Sequence, residues 1–172
     1  MPHRQRHDPS KNFVGFVVGD VEYAVAIARV KEIARPMPIV ALPHPPPSVA
    51  GVADFRGEVI PVVELRERFG LAPVPATRKT KWIVVDASGR LIALVVDAVT
   101  EVFGTGGAEL RPAPTLGGGD DLRGLAGVTG HGAGLVFVLD VARLRELTDA
   151  LVASGKLGPG GTFVDTPPES MA

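Results

Sequence analysis

Four histidines, two acids that follow apolar runs, and an Asp-Phe-Arg-Gly stretch are the residues whose types could carry acid–base, metal or anion chemistry. His3 and His7 lie in a polar N-terminal stretch, His44 in a Pro-rich loop and His131 in a Gly-rich turn. Neither loop histidine has a Cys, Asp or His at ligand spacing, so no metal is expected. Glu64 and Asp140 could form an acid pair, but an acid that ends a strand also caps the helix that follows, as ELRER and DVARL suggest. In Asp54-Phe55-Arg56-Gly57, a catalytic acid beside an anion-binding Arg competes with a tight turn. In the turn, Gly57 frees the backbone and Arg56 faces a partner or a helix C-terminus. The Gly-Gly-Gly-Asp run at 117–120 lacks the Lys-Ser/Thr of a phosphate loop, and no G-x-S-x-G occurs. Ser48, after Pro47, is expected to cap a helix. With no cysteine, thiol catalysis, disulfides and thiolate metal sites are excluded.

Charge narrows the partners. Eighteen Lys and Arg against 19 Asp and Glu leave a net charge of −1, which gives nucleic acid no electrostatic reason to approach. No apolar run approaches the ~20 residues that span a bilayer, and no signal-peptide pattern opens the sequence. A cytoplasmic protein without membrane insertion is expected.

The elements that would position these residues are mainly β. Segments 13–27, 58–65, 82–99 and 135–141 are rich in Val and Ile, and short polar turns at Gly19-Asp20 and Ala87–Arg90 divide two of them into hairpins. Short helices are expected at IARVKEI (27–33), PSVAGVADF (47–55) and ELRERFG (64–70), with a C-terminal helix at about 141–154. The stretches 1–11 and 156–172 read as disordered tails.

The two halves repeat. YAVAIARVKEI (23–33) aligns with IALVVDAVTEV (92–102) at an offset of 69, and GVADFRGEVIPVVEL (51–65) with GVTGHGAGLVFVLDV (127–141) at an offset of 76. Glu32 falls in register with Glu101, and Glu64 with Asp140. Two similar subdomains are expected, about 13–75 and 80–148, divided at APVPATRKT (72–80). Apolar strands without placed catalytic groups point to a non-enzymatic binding module.

The stretch GVADFRGEVIPVVELRERFG (51–70) resembles the signature of CheW-like coupling proteins. VEYAVAIARVKEI (21–33), LIALVVDAVTEV (91–102) with ELRPAP (109–114), and GLAGVTGHGAGLVFVLDVARL (124–144) match the family in the same order. The resemblance covers about 13–148. It implies two five-stranded barrels of the SH3-like type around a shared apolar core, no cofactor and no catalysis. It also implies an adaptor between the cytoplasmic tip of a chemoreceptor and the regulatory domain of a CheA-type histidine kinase. Such an adaptor would be recruited to membrane-associated arrays and be a monomer outside them. The receptor groove carried over by position comprises Ile27, Val30, Glu32, Arg56, Gly57, Val59, Val99 and Val102. Asp54-Phe55, where the family commonly has Asn-Leu, bears on which partner is recognised. Within the family, a coupler for a non-flagellar pathway, or one that binds a receptor without a kinase, is the alternative. From another class, a small-ligand or hydrolytic barrel would use Glu64, Asp140 and His131.

Overall fold

A computed structural model describes residues 11–105, 110–112, 124–146 and 149. Both tails, most of the GTGGAELRPAPTLGGGDD loop and half of the expected C-terminal helix lie outside the described residues. Among the described residues there are ten strands: β1 (Phe13–Val18), β2 (Val21–Ala26), β3 (Val30–Ala34), β4 (Val49–Phe55), β5 (Glu58–Glu64), β6 (Lys81–Asp86), β7 (Leu91–Val96), β8 (Ala98–Phe103), β9 (Leu125–His131) and β10 (Gly134–Leu139). A short helix, α1 (Leu65–Arg68), follows β5, 3₁₀ turns occupy Ile27–Arg29 and Val141–Leu144, and Arg145, Glu146 and Asp149 are helical.

The strands form two five-stranded sheets. Sheet 1 has the order β8-β1-β2-β10-β9, and sheet 2 has the order β3-β6-β7-β5-β4. The expected division at 72–80 therefore does not separate the sheets. Each sheet takes a hairpin from one half of the sequence and the remaining three strands from the other. Translated through the repeat, the two orders are the same. β1 pairs antiparallel with β8 as β6 does with β3, and β2 runs parallel to β10 as β7 does to β5. The crossing points explain the exchange. After β2, the 3₁₀ turn at Ile27–Arg29 carries the chain from sheet 1 to sheet 2, and Asp97 carries it back between β7 and β8.

Two helix expectations fail where strand pairing overrides local pattern. IARVKEI is helical only over Ile27–Arg29 before it pairs with β6 as β3. PSVAGVADF is strand β4, and its Gly51 lies so close under the Val40 carbonyl that any Cβ there would collide. Gly127, at the equivalent place in β9, lies as tightly under the carbonyl of Arg111. Ser48 caps no helix. It sits buried at φ 65° in a turn closed by the Val49 amide donating to the Pro46 carbonyl.

Both faces of the inner strands are covered, which is why their sequences read as continuous apolar runs. On β6, Ile83 and Val85 enter a core shared with Val14, Phe16, Val18, Tyr23 and Val25 of sheet 1, while Trp82 and Val84 enter a cluster with Phe55 and Ile60. Successive side chains on a strand point to opposite faces, so one strand serves both layers. Sheet 1 has its own smaller cluster of Ala24, Phe103, Val136 and Val138, against which Phe13 packs.

Candidate functional site

The β4–β5 hairpin closes through Arg56 and Gly57 at φ 50° and 87°, with Phe55 paired to Glu58. Positive φ at both central residues is the two-residue turn whose twist matches that of the flanking strands. The Gly57 amide donates to Asp54 Oδ1 at 2.8 Å and fixes the turn. Arg56 is thereby thrown outward. Its guanidinium lies 5.4 Å from the centre of the Phe55 ring and donates to Glu32 Oε1 on β3 at 2.6 Å. The Arg56 side chain is 72% exposed. An ion pair so open to water contributes only about 0–1 kcal/mol to stability. What it supplies is an oriented pair of charges at the surface.

Around this pair the expected groove residues separate into three places. Ile27, Val30 and Val99 are partly buried against the shared core, Ile27 and Val30 where the chain crosses to β3 and Val99 from β8. Val59 packs elsewhere, against Leu42, Val49 and Val52. Val102 on β8 is 52% exposed. The structure thus brings Glu32 and Arg56 into contact, collects three apolar positions at the junction of the sheets, and sets Val59 and Val102 apart from them.

At the place in sheet 1 related to this turn by the repeat, His131 Nε2 lies 2.5 Å from Glu101 Oε1, and the imidazole stacks on Phe103 at 4.1 Å. An acid, a base and a Phe ring recur there, with His in place of Arg. Glu101 and His131 border a cleft of about 500 Å³ that is also lined by Asp20, Glu22 and Leu135. The sequence signalled half of this, because Glu101 aligns with Glu32. The base went unread because His131 aligns with Phe55 rather than with Arg56. Among the described residues, no group of three His, Cys, Asp or Glu could hold a metal.

Glu64 and Asp140 act as caps. Glu64 Oε1 accepts from the Arg66 amide at 3.3 Å and Asp140 Oδ1 from the Ala142 amide at 3.1 Å. They lie at equivalent ends of different sheets and do not form an acid pair. Burial pushes the Glu64 carboxyl above the usual range, partly offset by the Arg66 amide. A further polar site was not read from the sequence. Arg66 holds Asp97 through both carboxylate oxygens, Nε to Oδ1 at 3.0 Å and Nη2 to Oδ2 at 2.8 Å, and the Gly19 amide also donates to Oδ2. Burial would raise the Asp97 carboxyl, yet the Arg66 hydrogen bonds, the Gly19 amide and the Arg66 charge together hold it below its ordinary value.

Two five-stranded sheets around a shared core, with an outward ion pair and half-buried apolar positions at their junction, define a two-sheet β module. The CheW-like domain family matches residues 12–148, and the chain belongs to that family. It is 33% identical over 102 residues to "Chemotaxis protein CheW" of Helicobacter pylori, a match covering 59% of this chain and 62% of that relative. It is 30% identical over 120 residues to "Protein FrzA" of Myxococcus xanthus, covering 70% and 74%. The crystal structure of the scaffolding protein TtCheW from Thermoanaerobacter tengcongensis superposes with a TM-score of 0.70 at 26% identity, covering 81% of this chain and 90% of that one. The fold is the CheW-like fold, and the family is one of chemotaxis scaffolds.

Proposed function

We propose that this protein is a non-enzymatic adaptor that couples the cytoplasmic tip of a chemoreceptor to the regulatory domain of a CheA-type histidine kinase. It would work in the cytoplasm, recruited to membrane-associated arrays and monomeric outside them. The observation that carries the reading is the Arg56–Glu32 pair, exposed on a rigid hairpin turn and too solvated to be explained by stability. The receptor tip would engage this pair together with Ile27, Val30 and Val99, with Gly57 shaping the turn and Val59 and Val102 at the margins. No helix among the described residues is long and apolar enough to cross a membrane, which accords with recruitment by a partner.

The test is co-purification with a receptor signalling tip and a kinase regulatory domain. Both should be retained, and Arg56→Ala and Val30→Asp should each weaken receptor binding by about tenfold or more, as loss of an interface anchor does. Retention of neither partner, or unchanged binding by both variants, would sink the proposal. The similarity to FrzA favours a second reading, a coupler of a non-flagellar pathway such as gliding or pilus motility. Retention of a receptor tip from such a pathway in preference to a flagellar one would select it.

A further inference from the structure

The two sheets are tied together at both ends, and the ties differ in strength. At one end Asp97, which links β7 of sheet 2 to β8 of sheet 1, receives Arg66 from α1 through both oxygens and the amide of Gly19 in the β1–β2 turn. The Asp97 amide also donates to the Val17 carbonyl of β1 at 3.0 Å, and Arg66 Nη1 holds the Ala72 carbonyl at 3.0 Å. Arg66 and Asp97 are only 18% and 27% exposed. The repeat maps Gly19 onto Ser88, in the β6–β7 turn of sheet 2. There, at the other end, the described residues give one hydrogen bond, from Arg145 Nη1 to the Ser88 carbonyl at 2.7 Å, and looser ion contacts of Asp149 with Arg90 Nε at 3.9 Å and Arg145 Nε at 3.7 Å. The repeat equivalents of Asp97 and Arg66 are Ala28 and Ala142, so this bidentate pair has no counterpart at the related place.

We propose that Arg66 and Asp97 are a latch that sets the angle between the two sheets, and that the Arg145–Ser88 end is the looser of the two ties. A bidentate guanidinium–carboxylate pair at hydrogen-bond distance fixes direction as well as distance, whereas one hydrogen bond and ion contacts at 3.7 and 3.9 Å to the exposed Asp149 constrain direction less. Val30 and Val99 reach the shared core from opposite sheets, so the latch also sets the spacing of the apolar positions assigned above to the receptor. That last consequence rests on the adaptor reading; the latch itself does not.

The absence of cysteine makes the measurement direct. Spin labels are placed through Ile33→Cys on sheet 2 and Leu135→Cys on sheet 1, both exposed positions, in the full chain without partners. The interlabel distance distribution should broaden in Asp97→Asn and in Arg66→Lys, which keeps the charge but loses the fork, and stay as in the wild type in Arg145→Ala. Hydrogen exchange of the Gly19 amide should quicken about tenfold in the latch variants, as a local opening would. A thermal melt confirms folding, and Arg66→Lys decides the matter should Asp97→Asn not fold. Unchanged distances in a folded latch variant, or equal broadening in Arg145→Ala, overturns the latch. Because no partner is present, that outcome leaves the adaptor reading to be judged by the binding experiment.

Discussion

Sheet 1 and sheet 2 share strand order and pairing direction, yet equivalent positions carry different side chains. Phe13 of β1 stands where β6 has Trp82, and the Glu101–His131 pair stands where sheet 2 has Glu32–Arg56. The tightest backbone constraints recur in both. Gly51 and Gly127 each lie under a crossing carbonyl, and Val40–Val52 and Arg111–Val128 bridge at matching places. Backbone pairing is what the two halves hold in common. The turn-end bases and the core aromatics differ, and sheet 2 buries the larger aromatic, Trp82, where Phe13 is only partly buried.

The largest expected effect tests the cores. Trp82 is 2% exposed among Phe55, Ile60, Val62 and Val84, so Trp82→Ala should cost about 3–5 kcal/mol through lost burial and the cavity left behind. Phe13, only partly buried in the smaller cluster, should cost about 1–2 kcal/mol on the same change. Denaturant midpoints with unchanged slopes would measure both. Equal losses would show the two interiors to be equally filled and would break the comparison.

Next is the latch, where pH separates two neighbouring carboxyls. Asp97 is held below the ordinary carboxylate range, so its charge stabilises the fold above its unfolded pKa of about 3.9, and that contribution is lost as pH falls toward the lower folded value. Asp97→Asn should therefore lower Tm by a few degrees at pH 7, with the gap to wild type closing below about pH 4. Glu64 has the opposite sign. Burial raises its carboxyl, so its charged form costs stability above about pH 4.3, and the cost fades as it protonates. Glu64→Gln keeps an oxygen for the Arg66 amide and should leave Tm at pH 7 equal or slightly raised. Melts at pH 7, pH 4 and pH 3 give both signs, and parallel curves for the two variants would refute the assignment.

Much of this was legible in the chain. β-Branched content marked the strands, Gly19-Asp20 and Ala87–Arg90 marked two hairpins, and the offsets of 69 and 76 survive as strand pairs with the same pairing direction. The exchange between sheets was hidden, because an alternating pattern says which face a residue takes but not which strand lies beside it. The helix expected at 47–55 failed for the same reason: its partner, β5, lies beyond the turn that the same residues make. Caps were readable because Glu64 and Asp140 act within two residues of themselves. Arg66 was not, since its partner Asp97 is 31 residues away and nothing local points to it.

The smallest effect on stability bears most directly on function. Arg56→His makes the sheet 2 turn carry the same base as the sheet 1 pair, and the exposed setting should hold the change in stability within about 0.5 kcal/mol. Charge is what changes. Arginine stays protonated throughout the physiological range, while an unperturbed imidazole titrates near pH 6.5. If the oriented positive charge at the turn is what a receptor tip reads, Arg56→His should bind weakly at pH 8 and recover part of its affinity at pH 6, with wild-type affinity changing far less over that interval. Titrations of the tip at both pH values would show it. Affinity lost equally at both would mean that the guanidinium fork rather than the charge is recognised, and the two turns would then differ in geometry as well as in charge.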